Sequence, residues 1–197
     1  MSISSIGDVT LYPCDEKLVK NGWFNDNLIS YQIEYIKKEF PLKDALIIDP
    51  LGYVLLSLGD DKQLLNDLNA KEYHHLIITV NDLTDNNSVN NGSHWTLLYI
   101  DLFSKMGYYY DSVPSHSTFH AEVLLDKISL FFGFPITFYK AHCPLQTNGL
   151  DCGPHVLANI YALCILLKDN IRSFEVLHPP YTASEIRSLV YSEIHHL

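Results

Sequence analysis

The chain has 197 residues, 47% of them hydrophobic and 18% charged, a composition that builds a packed core and excludes a mainly disordered polymer. Thirteen Lys and Arg against 23 Asp and Glu leave a formal charge of −10, which argues against a nucleic-acid binder and suits a partner with a basic patch or tail. No apolar run approaches the roughly 20 residues that span a bilayer, and the length fits a single domain over residues 1–197.

The first eight residues lack the basic and long apolar segments of a signal peptide. Ser2 excludes myristoylation, and His195-His196-Leu197 is not a prenylation box. The expected compartment is therefore cytosol or nucleus. Cys14, Cys143, Cys152 and Cys164 form no C-x-x-C pair, so neither disulfides nor a zinc site is expected. The N-x-S matches at Asn86 and Asn91 are read as chance in a polar loop.

In chain order, Asn25 or Asp26 can cap a helix carrying Leu28, Ile29, Ile33, Ile36 and Phe40, which Pro41 ends. Leu46 to Leu58 is apolar and fits strand or helix equally. Lys62 to Asn69 predicts a short helix, and His75 to Val80 a buried strand. Asn81 to Gly92 is a polar loop with five Asn, long enough to suggest function or mobility. Ser93 to Asp101 and Tyr108 to Val113 predict a hairpin about a turn at Phe103–Gly107. Thr118 to Phe132 predicts an amphipathic helix, Ile136 to His142 a strand, and Asp151 to Leu167 a long apolar helix. Thr182-Ala183-Ser184-Glu185 is a capping box opening a last helix. Strands in the middle with helices around them predict an α+β domain.

Cys152 is the first candidate for chemistry. The stretch Gln146 to Pro154 runs from a polar turn into an apolar helix, and Pro favours a first helical turn, so Cys152 belongs at a helix N-terminus. Unpaired N–H groups there stabilise a thiolate. Gly153 is expected to leave room for a substrate backbone. Cys164 and Cys14 are expected to be buried and inert. Among ten histidines, His94 opens a strand directly after the polar loop. A hairpin turning between Phe103 and Ser104 sets Asp111 opposite Thr96, on the face that His94 shares, so a carboxylate can orient the imidazole. Gln146 can supply an amide N–H₂ for an oxyanion beside the Cys152 backbone N–H. Trp23, expected ahead of the first helix, and Trp95 are ordinary core residues by default, but two flat rings around an active cysteine can instead wall a narrow tunnel that admits only side-chain-free residues such as Gly-Gly. Ile33, Ile36, Leu55 and Leu56 are expected in the core rather than on a binding face. Asp60, Asp61, Asp82 and Asp85 are acidic groups open to meeting a basic surface or simply to solvation.

Four pieces in order resemble the ubiquitin-like-protein protease family, the sentrin/SUMO-specific cysteine peptidases. They are Gly22-Trp23-Phe24-Asn25-Asp26, His94-Trp95-Thr96-Leu97-Leu98, Tyr110-Asp111-Ser112, and Gln146-x-Asn148-x-x-Asp151-Cys152-Gly153. The resemblance implies a papain-like α+β fold with a central mixed sheet flanked by helices. It implies a His94, Asp111 and Cys152 triad with Gln146 at the oxyanion. Trp23 and Trp95 would line the tunnel for a modifier's C-terminal Gly-Gly, and Asp26 would meet the modifier's basic tail. No metal or organic cofactor is implied, and a monomer suffices. The segment ending Asn91-Gly92-Ser93-His94-Trp95 and the stretch Tyr110 to Ala121 look most like the deneddylase branch. Pro154-His155 departs from the family pattern, and His155 puts the local electrostatics in question. A SUMO- or ubiquitin-specific protease of the same fold, an acetyltransferase with a similar Cys-His-Asp layout and a non-catalytic modifier-binding module are the alternatives.

Overall fold

The computed structural model describes residues 2–59, 61–82 and 92–195. Asp60, Asp85, Asn86, Asn91 and most of the Asn-rich loop lie outside the described residues.

No element is expected before Trp23, yet three occur there. Strands β1 (Ser4–Ile6) and β2 (Val9–Leu11) form an antiparallel hairpin about Gly7, whose φ of +54° lies in the left-handed region that glycine enters freely. Helix α1 (Pro13–Asn21) follows, with Pro at its start and Asp15 accepting from the Tyr12 N–H. The strands are too short to show alternation, and α1 carries only one buried apolar residue, Val19. Trp23 therefore sits between α1 and α2 rather than ahead of the first helix.

Helix α2 (Asp26–Glu39) is capped by Asn25, whose side chain accepts from the Leu28 N–H at 3.0 Å. The ambiguous stretch resolves into both options. Strand β3 (Ala45–Ile48) ends at Asp49, which caps α3 (Pro50–Leu58) through the Gly52 N–H, with Pro50 at the first helical position. Helix α4 (Asp61–Asp67) precedes β4 (His75–Asn81), buried along its whole length. Strands β5 (Trp95–Asp101) and β6 (Met106–Tyr110) form the expected hairpin in the expected register, Leu97 opposite Tyr110 and Asp101 opposite Met106. Helix α5 (Phe119–Phe132) and the edge strand β7 (Thr137–Lys140) follow, then α6 (Cys152–Lys168) and α7 (Ala183–His195). The Thr182–Glu185 capping box is formed, Glu185 accepting from the Thr182 N–H and donating its own N–H to Thr182 Oγ1.

The sheet order β3-β4-β5-β6-β7 is mixed, parallel at both edges and antiparallel in the middle. Alternation splits its side chains. Ile77, Leu97, Tyr99 and Tyr110 pack with α2, α6 and α7, while Leu76, Ile78, Leu98 and Tyr109 pack with α3 and α5. Helix α6 is buried on nearly all sides from Cys152 to Cys164, which its largely apolar sequence requires. Burial of Leu157, Ile160 and Leu163 contributes about 1.5–3 kcal/mol each. Its position is therefore rigid, and so is the residue at its first turn. Ile33, Ile36 and Leu56 are core as expected, whereas Leu55 is exposed.

Candidate functional site

Three element ends converge beside the central strands of the sheet. His94 stands one residue before β5, Asp111 one residue after β6, and Cys152 is the first residue of α6. All three are buried. His94 Nε2 lies 2.7 Å from Asp111 Oδ1. Asp111 is itself held, accepting from the Val113 N–H at 2.7 Å and from the Tyr109 hydroxyl at 3.2 Å. With Nε2 engaged by Asp111, the other ring nitrogen is left for Cys152, which lies close enough to act on the charge of the imidazole. Burial opposes a charged His94, but the hydrogen bonds and negative charges of Asp111 and Cys152 outweigh it and raise its pKa to about 9. The imidazole is thus held as a cation beside the sulfur at neutral pH.

Burial pushes the Cys143 thiol up to about 11 and the Cys164 thiol up to about 12, so both are inert at pH 7. Cys14 is exposed, correcting the expectation that it is buried, because α1 lies on the surface with Val19 facing inward. All four cysteines are free. His155, in the first turn of α6, has its pKa lowered by burial, with Asp151 opposing, and is mostly neutral at pH 7. It adds no competing cation beside the sulfur.

Gln146 is oriented from both sides. Its Oε1 accepts from Ser112 Oγ at 2.7 Å, its backbone N–H donates to Ser112 O, and one Nε2 proton goes to the Asn148 carbonyl at 2.6 Å. The second Nε2 proton remains to donate. Ser112 follows Asp111 directly, so one turn sets both the acid and the amide.

A groove of about 470 Å³ opens over the thiol. Trp23, Trp95, Asp26 and Cys152 all line it, with Leu51 and Val54 of α3 as an apolar wall. Trp95 Nε1 donates to Phe24 O at 2.9 Å, and Trp23 Nε1 donates to Gly149 O across the groove. Asp26 is exposed at the start of α2, one carboxylate oxygen accepting from the Asn27 N–H. Gly153 has a different use from the one expected. A Cβ there would stand 2.7 Å from Phe24 Cβ, so the missing side chain lets the start of α6 pack on Phe24 rather than admitting a substrate backbone.

Four contributors were not singled out as site residues from the sequence. Asp82 accepts from the N–H groups of Ser93 at 2.6 Å and His94 at 2.9 Å. Burial opposes its charge, but these hydrogen bonds outweigh it and hold the carboxyl below its usual range. It is a clamp on the His94 segment rather than a free surface charge. His116 places its ring 4.5 Å from that of His94, with Nε2 3.6 Å from Asp82. Among the described residues, His94, Asp111 and His116 are the group whose donor atoms could close on a metal. The 2.7 Å bond between the first two gives them the arrangement of an acid–base pair. Ser112 and Arg187 complete the four. The Asp-Ser dipeptide closing β6 is the signal for Ser112. Arg187 is one of only two arginines in the chain and adjoins the buried stripe of Ile186, Val190 and Ile194.

The sequence profile of the Ulp1 protease family, C-terminal catalytic domain, matches residues 71–176, more than half of the chain. This chain belongs to that family. It is therefore a cysteine protease of the ubiquitin-like-protein class, with the α+β fold the resemblance implied. A probable sentrin-specific protease 8 from Dictyostelium discoideum is 27% identical over 189 residues, covering 85% of this chain and 77% of that protein. NEDD8-specific protease 1 of Schizosaccharomyces pombe is 27% identical over 184 residues, covering 88% of this chain and 42% of that longer protein. In structure, the C-terminal Ulp1 protease domain in complex with Smt3, the yeast ortholog of SUMO, superposes with a TM-score of 0.73 at 19% identity. That match covers 98% of this chain and 86% of the other.

Proposed function

We propose that the protein hydrolyses the bond after the C-terminal Gly-Gly of a ubiquitin-like modifier, with the neddylation modifier as its preferred substrate. The observation that carries this reading is the buried His94–Asp111 pair beside Cys152, at the floor of a groove walled by Trp23 and Trp95. A groove lined by two indoles suits a tail of residues without side chains.

In this mechanism the Cys152 thiolate attacks the glycine carbonyl carbon, and its electron pair passes to the carbonyl oxygen. The free Nε2 proton of Gln146 and the Cys152 N–H receive that oxyanion. The His94 imidazolium gives its proton to the leaving amine, a lysine side chain or a peptide nitrogen, as the C–N bond breaks. Water then attacks the thioester with His94 as base, releasing the modifier's carboxylate and restoring the thiol. Asp111 holds the ring orientation and its positive charge. Asp26, exposed at the groove's margin, suits a basic residue upstream of the Gly-Gly.

The preference for the neddylation modifier is supported by relatives named as NEDD8-specific proteases in fission yeast and Arabidopsis thaliana. A SUMO preference is the second reading, because the Ulp1 neighbour was solved with Smt3. Cytosol or nucleus, both reducing, suits an enzyme that depends on a free thiol, and one copy of the chain carries every group used.

The deciding experiment is a panel of neddylation modifier, SUMO and ubiquitin, each with a C-terminal electrophile. An adduct on Cys152 with the first in preference to the others is expected, and none with Cys152→Ala. Equal or greater labelling by SUMO or ubiquitin would replace the modifier assignment. Acetyl-CoA-dependent transfer without cleavage would replace the reaction.

A further inference from the structure

Arg187 lies on α7, far along the chain from every residue of the groove, yet its guanidinium joins the segment that leads into Trp23 to the segment that leads into Cys152. Nη1 donates to Leu18 O at 3.1 Å and Val19 O at 2.9 Å, and Nη2 donates to Gly22 O at 2.9 Å. These carbonyls close α1 and lead directly into Trp23. On the other side, Nε and Nη2 grip Asp151 Oδ1 at 2.9 and 2.6 Å, and Nη2 also reaches Leu150 O at 3.3 Å. Those residues lead directly into Cys152. The guanidinium also lies 4.9 Å over the ring of Phe24. Its side chain is only 14% exposed.

The network continues inward. Asp151 Oδ2 accepts from Asn148 Nδ2, Asn148 Oδ1 accepts from the Leu150 and Asp151 N–H groups, and Asn148 O accepts from Gln146 Nε2. The Trp23–Gly149 hydrogen bond links the same two segments. The segments around 18–24 and 149–151 are thus tied twice, once by the Trp23 indole and once by the Arg187 guanidinium.

We propose that Arg187 is a positioning residue: from the C-terminal helix it holds the Trp23 segment against the segment leading into Cys152, and so sets where the Trp23 indole stands relative to the thiol that a Gly-Gly tail must reach. The proposal rests on the peptidase reading above for what enters the groove. Arginine is required because one planar fork serves both segments at once. A lysine at the same place keeps the charge opposite Asp151 but reaches only one side at a time.

The test is Arg187→Lys, made in a Cys14→Ser background so that the exposed thiol does not react. Two reactions of Cys152 are compared. Iodoacetamide needs only the thiolate, and a modifier with a C-terminal electrophile needs the groove as well. Arg187→Lys is expected to slow the modifier probe about 10- to 100-fold, the range a roughly 1 Å misplacement produces. KM should rise more than kcat falls. The rate and pH profile of iodoacetamide alkylation should stay within about threefold of the parent, since charge at this position is kept. Equal loss in both reactions would make Arg187 a stabiliser of the fold alone, and unchanged probe labelling would also overturn the proposal. If the parent protein labels with no modifier at all, the peptidase reading fails, and acrylamide quenching of Trp23 in a Trp95→Phe background decides for Arg187. Greater quenching in Arg187→Lys supports the positioning role, and equal quenching removes it.

Discussion

His94 and Asp111 meet at 2.7 Å although neither belongs to a strand: one residue before β5 and one after β6, they extend the hairpin register past its last pair. The pairing of Leu97 with Tyr110 would set Thr96 against Asp111, and His94 lies two residues further on the same face. The β5–β6 register therefore determines the acid–base geometry. Asp111→Asn keeps the shape of the side chain and its place beside the Val113 N–H but removes the charge opposite the imidazolium. We expect kcat/KM for modifier cleavage to fall by about 10²–10⁴, by analogy with loss of the carboxylate in other triads. Steady-state kinetics on a modifier fused to a reporter amine checks this, and a loss under about threefold would show that Asp111 has no catalytic charge to supply.

The raised pKa of His94 sets the alkaline limit. As pH rises through about 9 the imidazolium loses its proton, and with it the acid for the leaving amine and the cation beside the thiolate. Cleavage is expected to decline with a midpoint near 9, and Asp111→Asn should bring that midpoint down. The same proton is linked to stability. The folded pKa stands above the unfolded value of about 6.5, so this contribution is complete below about 6.5 and is lost as pH rises through about 9. A pH–rate profile compared with thermal melts from pH 6 to 10 tests both statements.

Gln146 and Ser112 separate the oxyanion contribution from the nucleophile. Cys152→Ala is expected to be inactive. Gln146→Ala should remain measurable at about 10²–10³ below the parent, the cost of one oxyanion donor. Ser112→Ala leaves the amide present but frees its Oε1, so its loss should be smaller than that of Gln146→Ala and appear in kcat rather than KM. Equal activity of Gln146→Ala and the parent would move the oxyanion site elsewhere.

The sequence made the site more legible than its surroundings, for physical reasons. His94, Asp111 and Cys152 stand at element boundaries marked by strong signals: a polar loop, a hairpin turn, and Cys-Gly-Pro opening an apolar run. Period-two alternation then sufficed to place the first two on one face. The β1–β2 hairpin and α1 escaped because three-residue strands carry no readable period and α1 buries little apolar surface. The stretch from Leu46 to Leu58 hid a boundary at Asp49-Pro50, a cap followed by a first-turn proline inside one apolar run. Gly153 was read toward the substrate because its contact with Phe24 joins residues more than 120 positions apart. Most partners of Arg187 and two of those of Asp82 are backbone carbonyls or N–H groups, which carry no side-chain signature in a sequence.

Glu193 supplies a stability prediction away from the site. On α7 it accepts from Gln32 Nε2 at 3.2 Å, while its own Oε2 and Gln32 Oε1 are both buried with no hydrogen-bond partner among the described residues. Burial raises its pKa to about 7, with the Gln32 hydrogen bond opposing and the charge of Glu39 adding to the rise. A protonated carboxyl can donate from Oε2 to Gln32 Oε1 and satisfy both orphan atoms, whereas the carboxylate cannot. The folded pKa exceeds the unfolded value of about 4.3, so the stability from this group is complete below about 4.3 and is lost as pH rises through about 7. Glu193→Gln presents an N–H₂ in place of that proton at every pH. At pH 8 it should stabilise the fold by about 1 kcal/mol, the net worth of one hydrogen bond, which corresponds to a rise of about 2–4 °C in Tm for a chain of this size. At pH 5, where the native carboxyl already carries its proton, the gap between variant and parent should shrink. Paired melts at the two pH values measure it, and a Tm difference that does not change between them would mean that Glu193 does not titrate in the folded protein.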